Sequence, residues 1–339
     1  MRKMLIVGDV HWSTYSSILK SRGSKCSTRL ERLIASINWC EQLALDKGCE
    51  SILYLGDFFD KPELVGEEIT MLNAIQWNPL KHYFIVGNHE SDVASLEYNS
   101  TEALRKNGFE IIAKPTVIDN MVLLPYITED SRLPLKDYLQ NTNKPIVFSH
   151  NDIKGIRYGK YESKTGFGIK EIEDLTSLYI NGHLHNGAWV TEKILNLGIL
   201  SGLNFGEDAF TYAHNVMVLD IDDLSYELIE NPHAINFYKI EIDKKEDIDL
   251  IKGIKNHAVL SIKCNNMFKD EVKQMLDNNP KVLTYKLIVY VENNSSDPSN
   301  ESKVELGGLD YIERFKEFII DNIGSDAIVM EELEEVCKQ

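Results

Sequence analysis

The sequence predicts an α/β fold, and three patterns predict it: short apolar runs suited to strands, amphipathic stretches between them, and a glycine or turn where most runs stop. The runs lie in MLIVGDVH (residues 4–11), SILYLGD (51–57), YFIVGNH (83–89), IVFSH (146–150) and LYINGHLH (178–185). Rich in Ile, Val, Leu and Tyr, they suit strands covered on both faces. After the first run, residues 29–47 set Leu30, Leu33, Ile34, Ile37, Leu43 and Ala44 on one helical stripe that ends before Gly48. A second helix is expected within residues 64–80, stopped near Pro79, and a third over 97–107. From 194 to 221 the pattern turns to short strands. Beyond Pro232 it changes again: strand YKIEI, acidic helix 244–254, strand HAVLSIKC, helix 269–278 and strand VLTYKLIVYV make a small α/β module. A polar linker, NNSSDPSNES, follows at 293–302. In the last stretch Leu309, Ile312, Phe315, Phe318, Ile319 and Ile323 recur at helical spacing.

Each apolar run delivers an Asp, Asn or His just past its end. Alternate residues of an extended chain point the same way, so Asp9 with His11, and His183 with His185, each aim a pair into one cleft. Glycines at 8, 56, 87 and 182 let the backbone turn where side chains converge. Seven candidate metal ligands result: Asp9, His11, Asp57, Asn88, His150, His183 and His185. Imidazole, carboxylate and amide oxygen together suit manganese, iron or zinc better than calcium or magnesium. A lone His or Asp after a strand is ordinarily a cap or surface residue, yet five of the nine histidines fall inside these motifs. His82, His214, His233 and His257 stay outside them and are read as structural.

In their order GDVH, GDFFD, GNHE, a single His after a strand, and GHLH, these motifs resemble the calcineurin-like metallophosphoesterase superfamily, over about the first two thirds of the chain. Within it the chain most resembles the SbcD-type nuclease subunits of DNA double-strand-break repair, in their compact phage versions. The resemblance implies a four-layer αββα sandwich and two divalent metal ions, with manganese favoured. It places one ion at Asp9, His11, Asp57 and His185 and the other at Asp57, Asn88, His150 and His183, with Asp57 bridging. It gives His89 the role of stabilising the transition state or protonating the leaving oxygen, and Asp60 that of orienting a histidine. The activity implied is 3′→5′ exonuclease and endonuclease cleavage of DNA by a two-metal-activated water, in recombination and repair.

Composition bears on partners. Net charge is −17, which by itself disfavours a nucleic-acid binder. Two segments following candidate ligands run the other way. Residues 12–32 carry a local +4, including Lys20, Arg22, Lys25, Arg29 and Arg32, and residues 151–170 a local +3, including Lys154, Arg157 and Lys160 with Tyr158, Tyr161 and Phe167 interleaved. Lys20, Arg22, Lys25, Lys154, Arg157, Tyr158 and Lys160 are therefore candidate DNA contacts; solvated loops without a partner are the alternative. Five scattered cysteines without metal spacing argue against a disulfide framework, and no apolar run approaches a signal peptide or a membrane span. These features place the protein in the cytoplasm, the host's if it is phage-encoded.

The expected organisation is a nuclease domain over 1–233, a capping or DNA-end domain over 234–292, the linker 293–302, and a helical segment 303–339. The resemblance assigns the second domain to end selection, where a stabilising appendage fits equally. It assigns the tail, through Ile312, Phe315, Phe318 and Ile319, to a coiled-coil ATPase of the SbcC type, with a homodimer inside the complex; packing back on its own domain is the alternative. Two other functions stay open. A phosphatase of the same superfamily is weakened by GDFFDKP where GDxxDRG marks the protein-phosphatase branch, and a silent scaffold is weakened by the intact ligand set.

Overall fold

The computed structural model describes residues 2–16, 19, 23, 25–91, 96, 98–105, 108–140, 142–158, 161–290 and 303–307. Chain contacts divide it into two compact units, Met1–Ile235 and Asn236–Gln339.

In the first unit, two six-stranded sheets stack on each other. One runs, in spatial order, Tyr226–Glu230, Asn215–Asp220, Lys3–Val7, Ser51–Tyr54, Lys81–Ile85, Phe109–Ile112, the last four strands parallel. The other runs Ala188–Trp189, Ile194–Asn196, Leu178–Asn181, Ile146–Ser149, Met121–Leu124, Thr116–Ile118, with four parallel strands at its centre. Strand alternation assigns the layers. Leu5 and Val7 point to one side and pack with Leu30, Leu33, Ile37, Cys40 and Ala44 of helix α1 (Thr28–Asp46). Met4 and Ile6 point to the other and meet Phe148, Ile180 and Leu195 of the second sheet. Val122, Val147 and Tyr179 cover that sheet's outer face together with Leu135, Leu139, Phe167 and Ile172. Helix, sheet, sheet, helix is the resulting order. Burying each such side chain contributes about 1.5–3 kcal/mol, so three apolar layers account for the main cohesion.

Helix α1 starts where Ser27 Oγ accepts the Leu30 N–H. The second helix is shorter than the apolar pattern suggests: α2 spans Gly66–Met71 and gives way to a 3₁₀ turn, Leu72–Ala74. Side chains of α1 end it, since Asn38 Oδ1 accepts the Gln76 N–H and Glu41 Oε2 accepts the Asn78 N–H. The expected third helix is a 3₁₀ segment, Ser100–Leu104. Helix α3 is Ile169–Leu175.

The second unit is a four-stranded sheet in which Asn236–Ile242, Ala258–Asn265 and Val282–Tyr290 are parallel. Helix α4 spans Lys269–Asp277. The segment expected as an acidic α-helix is a 3₁₀ helix, Lys245–Gly253. Buried Ile248, Ile251 and Ile254 recur every three residues, the 3₁₀ repeat rather than 3.6. Lys303–Gly307, counted in the helical tail by its composition, is instead a strand antiparallel to Val282–Tyr290. Its apolar Val304 and Leu306 alternate with charged residues, a period of two.

Candidate metal centre

All seven candidate ligands follow the carboxyl ends of parallel strands, drawn from both sheets. Asp9, Asp57 and Asn88 come from the first sheet; His150, His183 and His185 come from the second. Three overlapping groups form: Asp9, His11 and His185; His11, Asp57 and His89; Asp57, His150 and His183, each with ligand atoms within 4.8 Å of one another. Asp57 belongs to two of them.

Three of these residues sit in the left-handed backbone region: His11 at φ 49°, Asp57 at φ 47° and His183 at φ 72°. Such positions cost on the order of 1–3 kcal/mol each and persist only where the surroundings enforce them. Here Asp57 O accepts both the Val10 and His11 N–H groups, and Asp9 Oδ1 accepts the His183 N–H. Two glycines make room: a Cβ on Gly56, at φ 111°, would lie 2.4 Å from His150 Nδ1, and one on Gly87 would lie 2.1 Å from Asp57 Oδ1.

Every histidine of the set turns one ring nitrogen to an oxygen outside it. His11 Nδ1 pairs with Asp60 Oδ1 at 3.0 Å, His150 Nδ1 with Leu55 O at 2.9 Å, His185 Nδ1 with Glu207 Oε1 at 2.7 Å, and His183 Nε2 with Asp152 Oδ1 at 3.4 Å. Carbonyls and carboxylates only accept, so those nitrogens carry the protons, and in the neutral rings the opposite ones present bare lone pairs. The lone pairs then face each other. His11 Nε2 and His185 Nε2 are 3.0 Å apart; Asn88 Oδ1 is 3.1 Å from His150 Nε2 and 2.9 Å from His183 Nδ1; Asp57 Oδ2 is 3.1 Å from His150 Nε2. Asp9 Oδ2 is buried with no hydrogen-bond partner. Acceptors in mutual contact between neutral rings call for cations, and overlapping groups that share His11 and Asp57 have room for two.

The electrostatics agree. Burial opposes charge on Asp57, but His150, His11 and His89 overcome it and hold its pKa far below the usual carboxylate range. Burial likewise opposes charge on His150, and Asp57, Asp9 and Glu90 together raise its pKa instead. A proton there stands in for a cation. Burial lowers His11. Glu90, fully buried, accepts the Gly87 and Phe59 N–H groups, and burial with the Asp57 charge pushes it up to about 7. His89 is at the rim, 42% exposed by side chain, its Nδ1 2.9 Å from Asp60 O. Asp60 thereby touches two histidines, one through its carboxylate and one through its carbonyl.

Residues 2–187, which span every one of these ligands, match the calcineurin-like phosphoesterase family. The chain belongs to that family. Two six-stranded sheets between helical layers are the metallophosphoesterase sandwich, and the protein is a phosphoester hydrolase of a family that uses divalent metals. Among curated proteins none matches this phosphoesterase significantly in sequence. Of solved structures, an archaeal phosphodiesterase aligns over 67% of this chain and 99% of its own at 15% identity, TM-score 0.36. NAD nucleotidase of Haemophilus influenzae aligns over 81% of this chain and 60% of its own at 13% identity, TM-score 0.31.

Other candidates in this phosphoesterase fare differently. Lys25 and Lys154 are exposed, and Arg157–Tyr158 is a strand paired with Tyr161–Glu162. Lys20, Arg22 and Lys160, and the tail residues Ile312, Phe315, Phe318 and Ile319, lie outside the described residues. Phe167 is buried at 1% exposure, packed in the outer core, and so is no stacking platform. Arg29 is no rim charge either: it is 1% exposed and bonds the carbonyls of His11 and Gly202. Glu207 and Asp152 carry no strand-end motif, and nothing in the sequence marks them. Among the described residues no helix is long and apolar enough to cross a membrane.

Proposed function

We propose that this phosphoesterase is a manganese-dependent DNA nuclease, cutting phosphodiester bonds as a 3′→5′ exonuclease and endonuclease in recombination and break repair, with an SbcC-type ATPase. The observation that carries the hydrolytic part is the chain of three overlapping clusters, two sharing His11 and two sharing Asp57. One ion would be held by Asp9, His11, Asp57 and His185, the other by Asp57, Asn88, His150 and His183. When bound, the pair supplies Lewis acidity, polarising the phosphate and lowering the pKa of a water. The chain's residues do the rest. Asp60, Glu207 and Asp152 fix three imidazole rings, and Leu55 O fixes the fourth. His89, at the mouth, gives Nδ1–H to Asp60 O, which turns Nε2 toward incoming substrate. In its protonated form Nε2–H donates to the leaving oxygen, and the proton is recovered from the attacking water once the ester bond has broken.

A DNA substrate is supported by the basic segments 12–32 and 151–170 against a net charge of −17, and by the motif order. An acidic chain gains affinity for DNA from a partner, which the apolar tail at 309–323 suits. The test is cleavage of end-labelled duplex DNA with Mn²⁺, beside His89→Ala, scored against release of phosphate from p-nitrophenyl phosphate. Shortened DNA with wild type and none with His89→Ala supports the reading. Hydrolysis of the monoester alone makes the protein a phosphatase.

A further inference from the structure

Helix α1 buries an apolar stripe interrupted by three polar side chains, Arg29, Ser36 and Glu41. Ser36 Oγ donates to Arg32 O within the helix, and Glu41 accepts from Tyr54, His82 and Asn78. Arg29 is the odd member. Its hydrogen bonds go to two carbonyls, Nη2 to His11 O at 2.9 Å and Nη1 to Gly202 O at 3.3 Å, and buried Nε has no partner. A buried cation with no carboxylate in hydrogen-bond contact is costly; burial lowers its pKa to about 10 against the pull of Asp60 and Glu207.

The two carbonyls explain the placement. His11 O belongs to a ligand held at φ 49°. Gly202 opens the loop whose Leu203 N–H donates to Glu207 Oε2, while Glu207 Oε1 accepts from His185. One planar fork therefore spans both backbone segments behind the facing nitrogens of His11 and His185. Its charge also lies in the field of the two carboxylates, Asp60 and Glu207, that orient those rings.

We propose that Arg29 is a positioning residue for one ion only, clamping the His11 turn and loop 202–207 to α1 so that His11 Nε2 and His185 Nε2 converge. The proposal rests on the two-ion reading above. A plain structural anchor for α1 would instead weaken the fold and treat both ions alike.

The experiment is Mn²⁺ titration of the full chain by calorimetry, with electron paramagnetic resonance reporting spin coupling between neighbouring ions and circular dichroism checking the fold. Wild type is expected to take two ions and show coupling. Arg29→Met is expected to weaken one ion about 10- to 100-fold, the range for loss of an outer support, with the other unchanged and coupling lost at limiting Mn²⁺. Arg29→Lys, which keeps the charge and one carbonyl contact, restores part of that affinity. Should Arg29→Met fail to fold, Glu207→Gln carries the test and must weaken the same single ion. Variants that fold and bind both ions as wild type does, or lose both equally, overturn the proposal. Wild type that takes two ions but leaves DNA intact removes the nuclease reading and leaves this one standing; wild type that takes fewer than two ends both.

Discussion

Asp9 holds one oxygen on the His183 N–H and leaves the other buried and unpartnered, so its charge is a liability until a cation arrives. Asp9→Asn is therefore expected to raise unfolding free energy in EDTA by about 1–3 kcal/mol, the cost of an unsatisfied buried polar group, while removing the share of Mn²⁺ stabilisation that comes from the ion it would hold. Wild type should gain about 2.7 kcal/mol for each of the two ions at a hundredfold excess of Mn²⁺ over its Kd; urea titrations with and without metal measure both. His89→Ala takes one member from the group His11, Asp57 and His89 but none of the seven candidate ligands, and should lower turnover about 10²–10⁴-fold with Mn²⁺ affinity unchanged, read by initial rates beside calorimetry. At Cys49, burial raises the thiol from 9.0 to about 11. The folded state thus favours the neutral form, and the stability this gives is whole below about pH 9 and lost as pH climbs through about 11. Cys49→Ala should flatten the fall of the urea midpoint across that window. Sequence reached the residues that cluster here because strand ends and alternate spacing carry them. It missed Glu207 and Asp152 because their approach to His185 and His183 is set by loops with no period, and it misread Arg29 because charge alone does not show burial.

Elements deliver those residues, and α1 shows how a helix can be legible yet its partners not. Its stripe of Leu30, Leu33, Ile37, Cys40 and Ala44 is written at three- and four-residue spacing and is wholly buried. Ile37→Ala should cost about 2–5 kcal/mol in urea unfolding, where half-buried Lys47→Ala, which gives up an ion pair with Glu227, should cost no more than about 1 kcal/mol. The shortening of α2 was not legible, because the side chains that end it, Asn38 and Glu41, belong to another helix. Buried His82, given only a structural reading by sequence, bonds Glu41 through Nε2 and Leu80 O through Nδ1, tying α1 to the strand Lys81–Ile85. At the strand ends, a methyl on Gly56 would collide with the His150 ring. Gly56→Ala should thus disturb the ion that His150 serves first, which metal titration resolves from a general loss of fold.

Across the whole molecule, the cluster residues and the carboxylates that orient them all lie within Met1–Ile235. A fragment ending at residue 235 is accordingly expected to fold and take two Mn²⁺ ions with the affinity of the full chain; loss of either ion in the fragment would show that the second unit contributes. Layer order came from the family resemblance and not from periodicity, and which strands neighbour which was not legible either, since the pairing of Lys3–Val7 with Asn215–Asp220 joins segments more than two hundred residues apart. The centre takes Asp9, Asp57 and Asn88 from one sheet and His150, His183 and His185 from the other. Between those sheets lies an apolar layer, which resists separation, and the directional bonds that resist sliding gather at its ligand end, among them His150 Nδ1 to Leu55 O, the His183 N–H to Asp9 Oδ1 and the Tyr126 N–H to Val86 O. Bound ions would add rivets to that joint. Drawing the ions out should then loosen the molecule as a mechanical assembly, softening shear between its two plates before either plate unravels.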